Sequence, residues 1–419
     1  MSFWSEADLA AVHTLLHPRS IAIVGATPRL QYGGRFLRNL RASGYAGSVY
    51  PVNPRYQDIN GVPCYPSLRA LPEPPDLVGV VVPYNSVLPV LEEAAQVGAK
   101  TAVVISAGFA ERGEEGRRLQ GRLRELARAT GVRVCGPNCL GVANVADNVW
   151  AVAGGETGAR PGGVALVSHS GASAFGPLLA RANDRRIGLR YIVSSGNEAD
   201  LEASDFIRAF LEDPDVRAVA CLVEGLKDGP KFVAAARLAL ERGVPIEVLK
   251  VGRSPAGARA AASHTAALTG ADAVYDAAFR QLGVVRVEDW DELLEVAHLL
   301  ASSPPPTAPG VGIVSHSGGI GSLVADRCGA LGLPVPEVSP RAGARLGGIL
   351  QGLGSPQNPA DTTGFTFGEH FPAILETVLA EPQVGVALVA SAGPEGQAEA
   401  VVRAWERREK PVAFLWSGS

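Results

Sequence analysis

Two short stretches bring together the residue types that phosphoryl transfer needs. Ala262-Ser263-His264-Thr265-Ala266 places one imidazole in a run of small residues, Gly252 to Gly270, read as a loop that costs little to move. Forty residues earlier, Val223-Glu224-Gly225 places one carboxylate at the end of the apolar run 218–223. A mobile imidazole with a carboxylate to orient it is a nucleophile that can accept a phosphoryl group and pass it on. The pair needs two supports: a scaffold that fixes the carboxylate, and groups that neutralise phosphoryl charge.

Ser168-His169-Ser170-Gly171 offers the second support. It lies between an expected strand and an expected helix, where hydroxyls and free amides hold phosphate or a phosphohistidine. A serine-hydrolase reading needs G-x-S-x-G, and no Gly stands two before either Ser. His169 and His316 read as structural. A second anion site is expected after the first strand, in Gly25-Ala26-Thr27 through Gly33-Gly34-Arg35. Its spacing is not that of the dinucleotide pattern G-x-G-x-x-G. The second strand ends in Asn53-Pro54-Arg55, where an NAD site would want an acid for the ribose. A phosphorylated nucleotide other than NAD fits better, with Arg35 or Arg55 meeting a phosphate; a glycine turn with no ligand is the bland alternative.

The scaffold is legible as strands alternating with helices. Ser20 to Gly25, Val49 to Asn53, Leu77 to Val82, Thr101 to Ser106 and Val132 to Cys135 read as buried strands. Helices are expected near Arg35 to Ser43, Ser86 to Val97 and Gly116 to Ala129. Continuous apolar strands between helices imply a parallel sheet covered on both faces. This first, doubly wound domain covers 1–145. The pattern then restarts, and the restart repeats. The stretch 164–171 resembles 311–318, Asp213-Pro214 and its strand resemble Glu381-Pro382 and theirs, and 243–252 resembles 409–418. Three matches in one order indicate two copies of one α/β domain, at 146–303 and 310–419. The Pro-rich stretch Ser302 to Pro309 is the expected linker. Ala392 aligns with Glu224, so only the first copy is expected to carry the phosphoryl-transfer pair. The second copy reads as short of its last strand and helix.

Composition narrows the function classes. The 419 residues predict two to three domains; apolar residues at 47% and charged ones at 19% describe a globular protein. A net charge of −4 gives nucleic acid or an anionic membrane no general support. No apolar run reaches the roughly 18 residues of a spanning helix. The beginning, with Trp4, Glu6 and Asp8, lacks the order of a signal peptide. The five cysteines are odd in number and lack metal-ligand spacing, so reduced thiols in the cytoplasm are expected, with no metal site.

Taken in order, these motifs resemble the α part of the NDP-forming acyl-CoA synthetases, relatives of succinyl-CoA synthetase. The resemblance runs from Ser20 to Thr27, through Tyr50 to Pro54, Val81-Val82-Pro83, Ile105 to Phe109 and Gly136 to Gly141. It continues through Ser168 to Gly171, Ser195-Gly196-Asn197-Glu198-Ala199-Asp200, Glu224-Gly225 and Lys250 to Arg253, and closes on Ser263-His264-Thr265. With a third domain present, the chain looks closer to the ADP-forming acetyl-CoA synthetase branch. The resemblance implies a Rossmann-like CoA-binding domain followed by two flavodoxin-like domains. It implies that coenzyme A, a substrate, lies with its phosphates by Gly25, Ala26, Thr27, Gly33, Gly34 and Arg35 and its adenosine end by Asn53 and Arg55. Its arm would follow Val82, Pro83, Ser106, Ala107 and Gly108 towards Asn138. Phosphate would meet Ser168, Ser170 and Gly171, with Ser195, Gly196 and Asn197 beside them. His264 would take the phosphoryl group while Glu224 holds its other ring nitrogen. The acid would be a small carboxylic acid. No ATP-grasp domain is legible, so the resemblance implies a β partner that binds Mg-ADP or Mg-ATP, in an oligomer. The competing expectation is a non-catalytic module that binds CoA or acyl-CoA; an intact Glu224 and His264 weigh against it.

Overall fold

The computed structural model describes residues 3–155, 157–265, 271–363, 370–391, 395–407 and 409–416, with the backbone alone for 261–265, 395–397 and 416. The chain forms two compact units, Met1–Ala301 and Ser302–Ser419. Among the described residues no helix is long and apolar enough to cross a membrane.

The first unit holds two sheets. Strands β1 (Ser20–Val24), β2 (Ser48–Val52), β3 (Leu77–Val80), β4 (Thr101–Val104) and β5 (Arg133–Cys135) form a parallel sheet in the order β2-β1-β3-β4-β5. Successive side chains leave a strand on opposite faces. Ile21 and Ile23 therefore pack with Phe36, Leu37 and Leu40 of helix Tyr32–Ala42. Ala22 goes to the other face, with Leu88 and Leu91 of helix Val87–Gln96 and Leu123 of helix Glu114–Thr130. Both faces are covered, as the continuous apolar strands require. The helix expected from Arg35 begins at Tyr32, so Gly33, Gly34 and Arg35 lie in its first turn and not in the loop.

The second sheet has seven strands: β6 (Gly141–Asn144), β7 (Val149–Val152), β8 (Pro161–Ser168), β9 (Leu189–Ser194), β10 (Ala218–Val223), β11 (Ile246–Lys250) and β12 (Val285–Val287). Their order is β12-β11-β10-β8-β9-β6-β7. The β6–β7 hairpin is antiparallel and β6 pairs antiparallel to β9. Residues 141–145, read as the close of the first domain, thus begin in the second sheet.

Glu247 stands in β11, fully buried, and neither carboxylate oxygen has a hydrogen-bond partner among the described residues. Burial pushes its carboxyl well above the usual range. A carboxyl whose folded pKa exceeds its unfolded value stabilises the fold least at high pH, and the loss grows as pH rises above about 4.3. Glu247→Met is expected to stabilise the chain at pH 7 by about 1–3 kcal/mol. The gain, read by denaturant unfolding, should shrink as pH falls towards 4.3. An equal gain at both pH values would contradict the assignment.

The second unit, taken by itself, holds a five-stranded sheet of β13 (Gly310–Ser315), β14 (Ser355–Pro356), β15 (Ala360–Asp361), β16 (Val384–Ser391) and β17 (Val412–Trp416), in the order β14-β15-β13-β16-β17. The run β17-β16-β13-β15 reproduces β11-β10-β8-β9 of the second sheet. The repeat extends to single bonds. Ser168 Oγ donates to the Ser170 carbonyl (2.8 Å) and accepts from the Ser170 amide (3.1 Å). Ser315 Oγ does the same with Ser317, at 2.9 and 3.2 Å. Ala392, aligned with Glu224, lies outside the described residues.

Candidate functional site

The C-terminal ends of the strands in both sheets of the first unit open onto one cavity of about 1170 Å³. On the side of the first sheet, β1 turns at Gly25, whose φ is +93°. A Cβ there would lie 2.0 Å from the Val81 carbonyl oxygen, so only Gly lets the loop cross β3. The loop then folds back over the helix start, where a Cβ on Gly34 would lie 1.9 Å from the Arg29 carbonyl oxygen. Gly25, Thr27, Gly33 and Arg35 line the cavity. Ala26 and Gly34 are buried behind them. Asn53 stands off the cavity; its side-chain amide donates to the Ala26 carbonyl (2.8 Å) and its Oδ1 accepts from the Arg55 amide (3.0 Å). Asn53 therefore fixes the loop, while Arg55 is exposed and does not line the cavity.

Val82, Pro83, Ser106, Ala107 and Asn138 continue the wall. Ser106 Oγ donates to the Val82 carbonyl (2.5 Å), tying the two strand ends together. Gly108 lies off the cavity, its amide donating to Glu111 (2.5 Å). Asn138 joins the two sheets: its Nδ2 donates to Asn197 Oδ1 (3.2 Å), and Asn197 Nδ2 donates to Glu111 (2.5 Å) and Gln120 (3.1 Å). Burial would raise the Glu111 carboxyl, but the Gly108 amide and the Asn197 side chain hold it below its usual range. The carboxylate stays charged, and the network stays fully bonded.

On the side of the second sheet, Ser170, Gly171, Ala172 and Ser173 line the cavity with Gly196, Asn197 and Glu224. Ser170 caps the short helical turn that follows, its Oγ accepting from the Ser173 amide (3.2 Å). Ser168 and Ser195 were expected to touch phosphate, yet both are fully buried beneath the loop. Their hydroxyls are committed to backbone, Ser168 to Ser170 and Ser195 to the Ser168 carbonyl (3.4 Å). They shape the loop from below through these bonds.

Glu224 directly follows β10, at the point the apolar run predicts. The run Gly252 to Gly270, expected as a loop, is instead helical over Pro255–Thr265. Ser254 Oγ accepts from the Gly257 amide (3.0 Å), Pro255 takes the first position, and alanines fill the interior, all of which favour helix. The helix runs beside the turn Ala110–Arg112. The His264 side chain lies outside the described residues.

Sequence reasoning left His169 and Glu198 without a role, and the structure pairs them. His169 Nε2 lies 3.0 Å from Glu198 Oε1, with side chains 5% and 2% exposed. Nε2 faces the carboxylate at this distance without an aligned hydrogen bond. Burial alone would raise the Glu198 carboxyl, and His169 holds it below the usual range. His169 directly follows β8 and Glu198 lies in the loop after β9, its neighbour in the sheet, so no local sequence signal pairs them.

Comparison with known proteins gives one consistent result. Residues 19–145 match the model of a CoA binding domain, and residues 161–300 match that of a succinyl-CoA ligase like flavodoxin domain. The α subunit of acetate–CoA ligase (ADP-forming) I from Pyrococcus furiosus is 36% identical over 97% of this chain and 90% of its own length. Acetate–CoA ligase (ADP-forming) from Methanocaldococcus jannaschii is 36% identical over 83% of this chain, which spans 48% of that protein. The solved acetyl-coenzyme A synthetase 1 of Ca. Korarchaeum cryptofilum, in complex with phosphate and ADP, superimposes with a TM-score of 0.89 at 31% identity, over 97% of this chain and 88% of the other.

Proposed function

This chain belongs to the NDP-forming acyl-CoA synthetase family, and on that premise we propose that it is the α-type component of such a ligase. It acts on the CoA side of the reaction acyl-CoA + ADP + phosphate to acid + CoA + ATP. The observation that carries the reading is the shared cavity: Gly25, Thr27, Gly33 and Arg35 line it from one sheet, and Ser170, Gly171 and Glu224 from the other.

Coenzyme A places its phosphates at the β1 loop and helix start, where amides and the Arg35 guanidinium favour anions. Its arm follows Val82-Pro83 and Ser106-Ala107 towards Asn138. A phosphate oxygen attacks the thioester carbonyl, the C–S bond breaks, and the thiolate leaves to be protonated as free CoA. The acyl phosphate sits against the amides of Gly171 and Ala172, which take up its charge. A ring nitrogen of His264 then attacks phosphorus, and the P–O bond to the carboxylate breaks. Glu224 accepts the N–H of the other ring nitrogen and stabilises the cationic ring. The phosphohistidine next gives its phosphoryl group to ADP, which with Mg²⁺ belongs to an ATP-grasp β partner. The lengths of the relatives support that division, since a single-chain ligase is about twice as long as the matched part. All five cysteines are free and four are buried, which fits a reducing compartment such as the cytoplasm.

The chain alone should therefore release one thiol per chain from its acyl-CoA in a phosphate-dependent burst, with no ADP or partner present. A thiol reagent reads the burst. Thiol release that ignores phosphate, or none with any acyl-CoA offered, would count against the reading. Arg35→Ala is expected to raise the Kd for CoA roughly tenfold while leaving the fold intact, the cost of one charge-assisted contact. Calorimetric titration with CoA measures it, and an unchanged Kd would move the phosphates elsewhere.

A further inference from the structure

We propose that His169 is a positioning residue for Glu224: its imidazole holds the Glu224 peptide N–H and so sets where that carboxylate stands in the cavity. The inference rests on the phosphoryl-transfer reading above and assigns a role to a residue that sequence reasoning treated as structural.

Two bonds bracket the end of β10. The His169 amide donates to the Leu222 carbonyl (3.0 Å), and the Glu224 amide donates to His169 Nδ1 (3.2 Å). The last residues before the carboxylate are thus fixed through one residue, by its amide and its ring, at the end of the neighbouring strand. The ring itself is enclosed; His169 lines the cavity yet is only 7% exposed. Glu198 backs it on the far side and is in turn held, its Oε1 accepting from the Ala203 amide (2.8 Å). Lys227 Nζ donates to the Glu198 carbonyl (2.9 Å). The chain of contacts runs from helix Ala203–Phe210 through Glu198 and His169 to Glu224.

The arrangement fixes the tautomer. Nδ1 accepts, so the ring carries its proton on Nε2, facing Glu198. A second proton would place an N–H on Nδ1 against the N–H of Glu224, and that bond would be lost. The charged groups facing the ring are Glu198, Glu224 and Lys227. Burial opposes protonation, but the two carboxylates outweigh it, against Lys227, and raise the imidazole above its usual 6.5. The sign follows: Glu224 is held at high pH and released as pH falls through that raised value. Phosphorylation should show an acid limb with its midpoint above 6.5.

The test compares two variants of the full chain with wild type, using acetyl-CoA and labelled phosphate. His169→Gln keeps an acceptor for the Glu224 amide and a donor towards Glu198 but cannot titrate. His169→Leu keeps neither. His169→Leu is expected to slow phosphoprotein formation about a hundredfold, the cost of a misplaced group, at an unchanged Kd for CoA. His169→Gln is expected to restore the rate to within about fivefold of wild type and to abolish the acid limb. A wild-type rate in His169→Leu overturns the inference. So does an unchanged acid limb in His169→Gln, a variant that folds even if the Leu variant does not. A wild type that never labels, with any acyl-CoA, overturns the phosphoryl reading first and this inference with it; the two failures are distinguished by the wild-type lane.

Discussion

His264→Ala abolishes phosphoprotein formation, by about four orders of magnitude or more, in the result expected here. His169, which lines the cavity, is a poor substitute nucleophile at phosphorus, because it is buried with Nδ1 accepting from the Glu224 amide and Nε2 against Glu198. The variant should fold normally. His264 stands in helix Pro255–Thr265, where Ala is the best helix former. CoA binding should also survive, since the wall assigned to CoA comes from the first sheet and the His-bearing helix follows β11 of the second. Labelling at the wild-type rate, together with a wild-type circular dichroism spectrum, would remove His264 from the mechanism.

Glu224→Gln carries the next largest effect. The substitution keeps size and the main-chain bond to His169, which comes from the residue 224 amide and not from its side chain. It removes the charge that steadies a cationic imidazole as the P–N bond forms. Phosphorylation should fall about a hundredfold, within the range for a positioned acid or base, with the unfolding midpoint unchanged. Rapid-quench labelling gives the rate. A loss of stability equal to the loss of rate would instead make Glu224 a structural strand cap.

The two variants separate an enzyme from a binding module, because a module that only holds CoA would lose nothing in either. They also divide labour between the sheets. In the proposed mechanism the first sheet supplies the anion cradle, through Gly25 and the first turn of helix Tyr32–Ala42. In the same reading the second supplies the Gly171 and Ala172 amides and the carboxylate at the end of β10. Asn138 and Asn197 tie the two walls together through one side-chain hydrogen bond of 3.2 Å.

The sheets were legible because their strands are continuous apolar runs between helices, and burial on both faces demands that pattern. The second sheet's edge was not. Gly141–Asn144 follows β5 after only residues 136–140, and its pairing with β9 reveals which sheet it joins. Glycine hid the start of helix Tyr32–Ala42, since Gly33 and Gly34 read as loop until close packing explains them. The run around His264 misled in the opposite way: small residues suggest a mobile loop, yet alanine behind a Ser-Pro start propagates a helix. At the site, residue types point to loops that border the cavity but not to which atoms face it. Ser168 and Ser195 carry the hydroxyls that chemistry invites, yet both are buried and bonded to backbone carbonyls. His169 and Glu198 are 29 residues apart and meet only because β8 and β9 are neighbours.

The most direct measurement incubates the purified chain with acetyl-CoA and radioactive phosphate, beside propionyl-, isobutyryl- and phenylacetyl-CoA, and tests for an acid-labile, base-stable phosphoprotein. The account predicts label in wild type with at least one acyl-CoA, and none in His264→Ala. No label with the whole panel, or label that survives in His264→Ala, would contradict it.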